Sequence, residues 1–252
     1  MRIDRKDFND NFTTYDIPDW NCSTCHKGKL LFDKKNITEF ETAESKLNQK
    51  HEAWEPSWLD KFFHGTLTCN NPKCKEIFSI AGEIKIEEDY DGEHGATYTN
   101  CYYQEYIYPT LHLFKIAEDT PSEIEESIKS AFKVFWIDKS ACANSIRTTV
   151  EVILNDKRIL KTELLAKKKK RRSLSLHERI ELFEKKNKEV ANYLMAIKWI
   201  GNAGSHDGEI TNEDILDGFD LLKYSIEKLY TSHEKEMAQI TKQINKKRKP
   251  LT

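Results

Sequence analysis

The sequence predicts an α+β protein, in which a small β-rich part comes first and an antiparallel bundle of helices follows. Three observations lead to this prediction. Four cysteines form two close pairs in the first third of the 252 residues. Two segments after the cysteines have the composition of strands, and from residue 120 onward the apolar residues recur at the helical period of 3.6. A chain of this length can bury one large core or two smaller ones.

Both cysteine pairs have a spacing that is typical of metal ligands. Cys22 and Cys25 are three residues apart, and Gly28 allows the backbone to turn behind them. Cys69 and Cys74 form a second, slightly wider pair. Four thiolates make a closed tetrahedral site, which is structural rather than catalytic. We therefore predict a structural zinc ion, and its binding energy would supply much of the folding energy of this segment.

Other interpretations of the cysteines stay open. His26 or His64 could replace a cysteine that points away from the metal, and the four cysteines could also be unrelated. Cys101 and Cys142 are not paired by spacing, and Cys142 lies in a helical pattern, where we expect a small buried residue. Six cysteines with these spacings indicate metal ligands or free thiols rather than a disulfide framework.

The first 118 residues are predicted to form a zinc-ribbon and β-strand domain. Between the cysteine pairs, aromatic residues at near-helical spacing predict a helical insertion over residues 37–63. Two β-like runs follow, at 76–86 and 97–116, and the acidic segment 87–94 is predicted to be the loop that joins them into a hairpin.

Five amphipathic segments predict a helical bundle over residues 119–232. Three helix starts carry capping signals, which begin at Thr120, Ser175 and Thr211. The remaining residues, 233–252, are polar and basic, and we expect a frayed helix or a disordered tail there.

Six consecutive cations lie between the second and third predicted helices. One interpretation is a solvated and mobile loop. The other is an arm that contacts phosphates, because clustered bases release counterions when they bind nucleic acid. No aromatic residue is interleaved with these cations, so this stretch by itself does not predict base stacking. The candidate nucleic-acid contacts are Lys167, Lys168, Lys169, Lys170, Arg171 and Arg172.

A glycine-rich turn, residues 196–208, lies between the fourth and fifth predicted helices. It is consistent with a helix C-cap in which Gly201 or Gly204 takes the left-handed conformation. It is also consistent with a binding turn in which Asn202 and His206 face a polar ligand, with the glycines allowing close approach.

The N-terminus and the hydropathy of the chain indicate where in the cell the protein is found, and the charge distribution shows which segments are acidic or basic. The net charge is only −2, but acids are concentrated near residues 83–93 and bases near 157–188 and in the tail. The N-terminus lacks the apolar core of a signal peptide, and no apolar run is long enough to cross a membrane. We therefore expect a cytoplasmic protein without membrane association.

Five motifs follow one another along the chain: the paired cysteines, the Tyr-rich strand ending in Tyr108-Pro109, and the segments 121–128, 144–151 and 200–206. Together they resemble a known family, the domain of unknown function numbered 4145. The resemblance covers roughly residues 19–230, apart from insertions at 37–63 and 87–96. The family is similar to a branch of the HEPN helical-bundle superfamily, whose members often accompany bacterial restriction and anti-phage systems. The resemblance implies a HEPN-like helical bundle and a homodimer.

Active HEPN proteins cleave RNA without a metal, using an Arg and a His with four to six residues between them. By this resemblance the His corresponds to His206. The polar residue that often follows the Arg corresponds to Asn202. The Arg would fall near 199–201, where no residue is basic. Arg147 could supply the missing cation, or it could simply form an i,i+4 ion pair with Glu151.

Three functions follow from these observations. The missing Arg and the closed thiolate site favour a zinc-containing, non-catalytic binding or assembly module of a bacterial defence system, which recognises nucleic acid or a partner protein. The alternative is a HEPN-type, metal-independent endoribonuclease with an altered motif that uses His206, Asn202 and Arg147. A weaker third possibility is a small-molecule or nucleotide sensor that uses the glycine-rich turn.

Overall fold

The computed structural model describes residues 2–91, 95–165, 170–204, 210–231 and 233–247, without the side chains of 89, 91, 95, 165, 170 and 233–239. The α+β prediction is confirmed, because an antiparallel sheet is followed by a helical region. The chain divides into two compact units. The first comprises Met1–Lys115, Lys129–Cys142 and Ile210–Leu216, and the second comprises Ile116–Ile128, Ala143–Glu209 and Asp217–Thr252.

The first unit is built on a four-stranded antiparallel sheet in the order β1-β2-β3-β4, which is larger than the predicted hairpin. Strand β1 pairs with β2, and β3 pairs along its length with β4. The acidic segment 87–94 is not simply a loop, since the strands extend into it from both sides and only 92–94 lie outside the described residues. The strands are β1 Leu30–Glu41, β2 Lys61–Cys69, β3 Ile77–Asp91 and β4 Gly95–Tyr108.

The predicted helical insertion at 37–63 is mostly not helical. It contains the end of β1, a six-residue helix α1 (Ala43–Asn48), a 3₁₀ turn (Pro56–Trp58) and the start of β2. Successive residues of β2 point to opposite faces of the sheet, so Phe63 is 1% exposed and Phe62 is 46% exposed. Phe62 and Phe63 therefore lie on opposite faces of a strand rather than on one face of a helix, and Trp58 lies in the 3₁₀ turn.

One face of the sheet carries an aromatic core. The ring of Phe12 stacks on Tyr102 and meets Trp20 and Phe63 edge to face. The backbones of Phe12 and Tyr102 also exchange two hydrogen bonds, of 3.0 and 2.8 Å. These contacts attach the N-terminal segment to β4 and bury Trp20, which precedes the first cysteine pair.

The five predicted amphipathic helices are present, and the tail contains a further helix. The joint between the second and third of them, predicted as a loop or an arm, contains two short antiparallel strands, β5 (Thr162–Leu165) and β6 (Lys170–Ser173). None of the helices in the described part is long and apolar enough to cross a membrane. The helices are α2 Ser122–Val134, α3 Lys139–Asp156, α4 Leu176–Glu184, α5 Lys188–Ala203, α6 Asn212–Tyr230 and α7 His233–Lys247.

Two of the three predicted caps form. The Ser175 hydroxyl accepts from the Glu178 N–H, and the Glu178 carboxylate accepts from the Ser175 N–H in return. Thr211 and Asp214 exchange the same two bonds. The prediction at Thr120 is wrong. Its buried hydroxyl has no hydrogen-bond partner among the described residues, and the Pro121 carbonyl instead accepts from the N–H groups of Ile124 and Glu125, both at 3.0 Å.

Candidate functional site

The four paired cysteines lie together in the first unit. Their Sγ atoms are all within 4.8 Å of one another, with 3.9 Å between Cys22 and Cys74 and 3.7 Å between Cys25 and Cys69. A tetrahedral ion bound by sulfur at about 2.3 Å has sulfur–sulfur edges of about 3.8 Å. A disulfide would bring two sulfurs to about 2.0 Å, so these are free thiols. The cluster could therefore bind a metal ion.

Each cysteine pair ends in its own backbone turn, and the two turns have the same geometry. The residue after the first pair, His26, has a left-handed φ of 52°, and the residue after the second pair, Lys75, has a left-handed φ of 51°. The N–H of His26 donates to the Cys22 carbonyl at 2.8 Å, and the N–H of Lys75 donates to the Asn71 carbonyl at 3.0 Å. The turns present both pairs of thiols to one point. Sequence reasoning missed them, because neither left-handed residue is a glycine.

Gly28 and Asn71 support the cluster from behind the thiols. A Cβ on Gly28 would lie 2.5 Å from the Sγ of Cys69, so only glycine fits there. The side-chain amide of Asn71 donates to the Cys25 sulfur at 3.5 Å. The role of Gly28 in a tight turn was predicted, whereas the amide contact of Asn71 was not.

The environments of the thiols differ. Hydrogen bonds from the backbone N–H groups of Lys27 and Gly28 lower the pKa of Cys25 to about 6. Burial raises the pKa of Cys69 to about 12. In the described part of the chain, the four cysteines form the one group of at least three potential ligands that is close enough to share an ion, and it contains no histidine. His64 instead stacks on Phe40, on the exposed face of the sheet.

The strands β5 and β6, called here the basic ribbon, lie in the second unit. Glu163 pairs with Arg172 across the ribbon, and Leu164 pairs with Arg171. Lys167, Lys168 and Lys169 fall between the strands, outside the described residues. The run of cations therefore continues into a β-hairpin strand, which the sequence did not predict, because four-residue strands give too short a pattern to recognise.

The two arginines of the basic ribbon have different roles. Arg172 binds the carboxylates of Glu163 at 2.5 Å and Glu178 at 2.7 Å, so it anchors the ribbon to the first turn of α4. Its hydrogen bond holds the pKa of Glu178 at about 2. Arg171 is exposed, donates to the Thr162 hydroxyl at 3.3 Å and makes no ion pair within the described ranges. Arg171 is thus the better placed of the two to meet an anion.

The glycine-rich turn is only partly described. Asn202 is half-buried in the last turn of α5, whereas His206 lies outside the described residues. The prediction of a left-handed glycine is wrong, because Gly201 lies within α5 and Gly204, its C-cap, has φ −65° and ψ −16°. Whether Asn202 and His206 face a ligand stays a prediction.

Arg147 forms the ion pair that its spacing predicts. Its Nη1 lies 3.5 Å from Glu151, and its Nε and Nη2 donate to the Asn144 side chain at 3.3 and 3.2 Å. A Cβ on Gly201 would lie 2.5 Å from the Cβ of Arg147, so the Arg147 side chain packs directly on α5, one residue before Asn202. A role for Arg147 beside His206 stays a prediction.

Two further features were missed. In the second unit, Arg179 is 5% exposed and donates to Asn155 at 2.7 Å, yet its Nε has no hydrogen-bond partner among the described residues. In the first unit, a cleft of about 370 Å³ is lined mainly by aromatic and aliphatic side chains, among them Tyr106, Tyr108 and Trp136. No motif marks either feature, because both arise from residues far apart in the sequence.

Two family models match the chain. Residues 129–247 match the Domain of unknown function (DUF4145), so the predicted resemblance is found in the helical region. Residues 10–112, which include the four cysteines, match a different model, the Domain of unknown function (DUF8608). Each model covers less than half of the chain. No curated protein and no solved structure matches significantly.

Proposed function

We propose that this chain is a non-catalytic binding module of a bacterial defence system and that it binds nucleic acid through the basic ribbon. The observation that carries the proposal is the ribbon itself. Arg172 is held by two carboxylates and fixes the ribbon to α4, while Arg171 stays exposed. A two-stranded ribbon that presents cations is a suitable shape for contact with a nucleic-acid backbone.

The charge distribution supports nucleic acid over a protein partner at this surface. The second unit contains 23 Lys and Arg and 19 Asp and Glu, whereas the first unit contains 17 Lys and Arg and 23 Asp and Glu. A polyanion is attracted to a locally basic surface even when the net charge of the chain is close to zero. The second unit, which contains the basic ribbon, therefore suits nucleic acid better than the first.

The test compares two variants with equal charge change. In the ribbon variant, Lys167, Lys168, Lys169, Lys170 and Arg171 become Gln, and Arg172 is kept because it anchors the ribbon. In the control variant, five exposed lysines of the first unit become Gln instead: Lys34, Lys35, Lys46, Lys50 and Lys73. Binding to a labelled RNA is measured by fluorescence anisotropy over a range of salt concentrations.

We expect the ribbon variant to bind more weakly and with less dependence on salt, since each lost phosphate contact lowers the slope of log K against log salt by about 0.7 to 0.9. The control variant should behave like the wild type. Equal effects of the two variants would show that binding depends on total charge and would contradict a site at the ribbon.

We also propose that the four cysteines hold a structural zinc ion, forming two zinc knuckles. The sulfur spacing and the all-thiolate donor set support zinc, which prefers a closed tetrahedral site. The HEPN-like identity of the bundle and a homodimer follow from the family resemblance. Elemental analysis and light scattering of the purified protein would test the metal and the dimer, with one zinc per chain and twice the chain mass as the expected results.

A second candidate is a HEPN-type ribonuclease. It is favoured by the packing of the Arg147 side chain on Gly201, which directly precedes Asn202 in α5. In this reaction Arg147 would stabilise phosphate charge, and His206 would act as acid or base at the 2′-hydroxyl. Cleavage of structured RNA in the presence of a chelator, lost in His206→Ala and in Arg147→Ala, would support it. Cleavage that survives both changes would refute it.

A further inference from the structure

Trp199 is an exposed aromatic residue beside a lysine. It lies on α5, and 56% of its surface is exposed. The Lys198 ammonium lies 3.4 Å from the centre of its ring. The ring of His177, from α4, meets it edge to face at 6.2 Å. An exposed indole offers a large, flat and apolar surface for contact with a partner.

The contacts of α4 connect Trp199 to the basic ribbon. His177, which touches Trp199, lies in the first turn of α4, and the next residue, Glu178, binds Arg172 of the ribbon at 2.7 Å. The indole and the ribbon therefore lie at the same end of α4. Sequence reasoning found no aromatic residue near the cations, because Trp199 is far from them along the chain.

We propose that Trp199 stacks on an unpaired base of single-stranded nucleic acid, while Lys198 and Arg171 contact its phosphates. This inference rests on the proposed function and names the class of nucleic acid that the site takes. Single-stranded binding sites combine cationic side chains that follow the backbone with aromatic rings on which bases stack. In a duplex the bases already stack on one another, so Trp199 would gain no comparable contact there.

Charge decides between a nucleic acid and an apolar peptide as the occupant. Lys198 lies over the indole, and the exposed Arg171 belongs to the ribbon that the same turn of α4 anchors. These two cations attract a polyanion and disfavour a purely apolar partner. The opposite ring face is the surface on which a base would stack.

The experiment measures binding of Trp199→Ala to a fluorescein-labelled 20-nucleotide poly(U) strand and to a labelled RNA duplex of the same length. Trp58→Ala is the matched control, since Trp58 is also exposed, at 41%, but lies in the first unit. We expect Trp199→Ala to bind poly(U) about 5- to 150-fold more weakly, which is the range for loss of one stacked base. Duplex binding, and both affinities of Trp58→Ala, should be unchanged.

Trp199→Phe keeps an aromatic ring and should recover part of the poly(U) affinity that Trp199→Ala loses. This variant distinguishes loss of stacking from an effect of Trp199→Ala on folding. Two results would overturn the proposal and leave nucleic-acid binding by the ribbon intact. In one, Trp199→Ala binds poly(U) as tightly as the wild type while the ribbon variant does not. In the other, poly(U) and duplex binding fall equally. If the wild type binds neither oligonucleotide, the proposed function fails as well.

Discussion

At the scale of single residues, glycine controls how closely α3 and α5 pack. The Cβ and Cδ atoms of Arg147 occupy the space that a Cβ on Gly201 would need, at 2.5 and 2.9 Å, and the Ala143 carbonyl lies at 3.1 Å. Two of these three neighbours belong to a backbone or to the base of a side chain, so they cannot move away easily. Gly201 is therefore required by packing rather than by backbone conformation, which the sequence alone did not distinguish.

Replacing Gly201 by alanine should destabilise the protein by about 1 to 3 kcal/mol, the usual cost of overpacking a tight contact. Gly218→Ala, in α6, is the matched control. A Cβ there meets nothing closer than 3.6 Å, so this change should stabilise the helix by about 0.5 to 1 kcal/mol. Urea denaturation of both variants measures the difference. Equal stabilities of the two variants would contradict the packing of α3 against α5.

The pairing of Arg172 with Glu178 predicts a pH dependence. The hydrogen bond from Arg172 lowers the Glu178 pKa to about 2 from an ordinary value of 4.5. A lowered carboxyl pKa means that the pair stabilises the folded state fully above about pH 4.5, and this contribution is lost as the pH falls toward 2. NMR titration should show Glu178 ionising near pH 2, and at higher pH in Arg172→Ala. Titration near pH 4.5 in the wild type would contradict the contact.

At the scale of elements, the sequence predicted helices and their caps better than it predicted which strands pair with one another. The amphipathic helices and two of their caps follow from residues a few positions apart, and the sequence predicts them correctly. The sheet depends on pairs such as Phe40 with Phe62, which are distant in sequence, and Phe62 was therefore interpreted as part of a helix. The cysteine cluster was predictable, because its spacing is itself the signal. The surroundings of Trp199 were not predictable, because its contact with His177 joins two different helices.

Removing the proposed zinc ion should unfold the segment that contains the cysteine turns. Cys69→Ser removes a buried ligand and is expected to lower the metal content and expose Trp20, which is 2% exposed and precedes Cys22 by two residues. Cys142→Ser is the control, since Cys142 is also buried but bonds to the Ala131 carbonyl, away from the cluster. Metal analysis and tryptophan fluorescence give the readout. Full metal content in Cys69→Ser would show that the four thiols do not act together.

At the scale of the whole molecule, charge is the property that links the sequence to the proposed function. The net charge of −2 hides an acidic first part and a basic second part, and both the ribbon and Trp199 belong to the basic one. This asymmetry was readable from the sequence. The placement of an exposed arginine and an exposed indole at one end of α4 was not, because it depends on how the helices pack.

The most direct test of nucleic-acid binding is the affinity of the wild-type protein for a single-stranded RNA at about 50 and 200 mM salt. Five phosphate contacts, each with a slope of about 0.7, predict binding that is about a hundredfold weaker at the higher salt concentration. Absence of binding at both salt concentrations, or an affinity that does not change between them, would contradict the central claim.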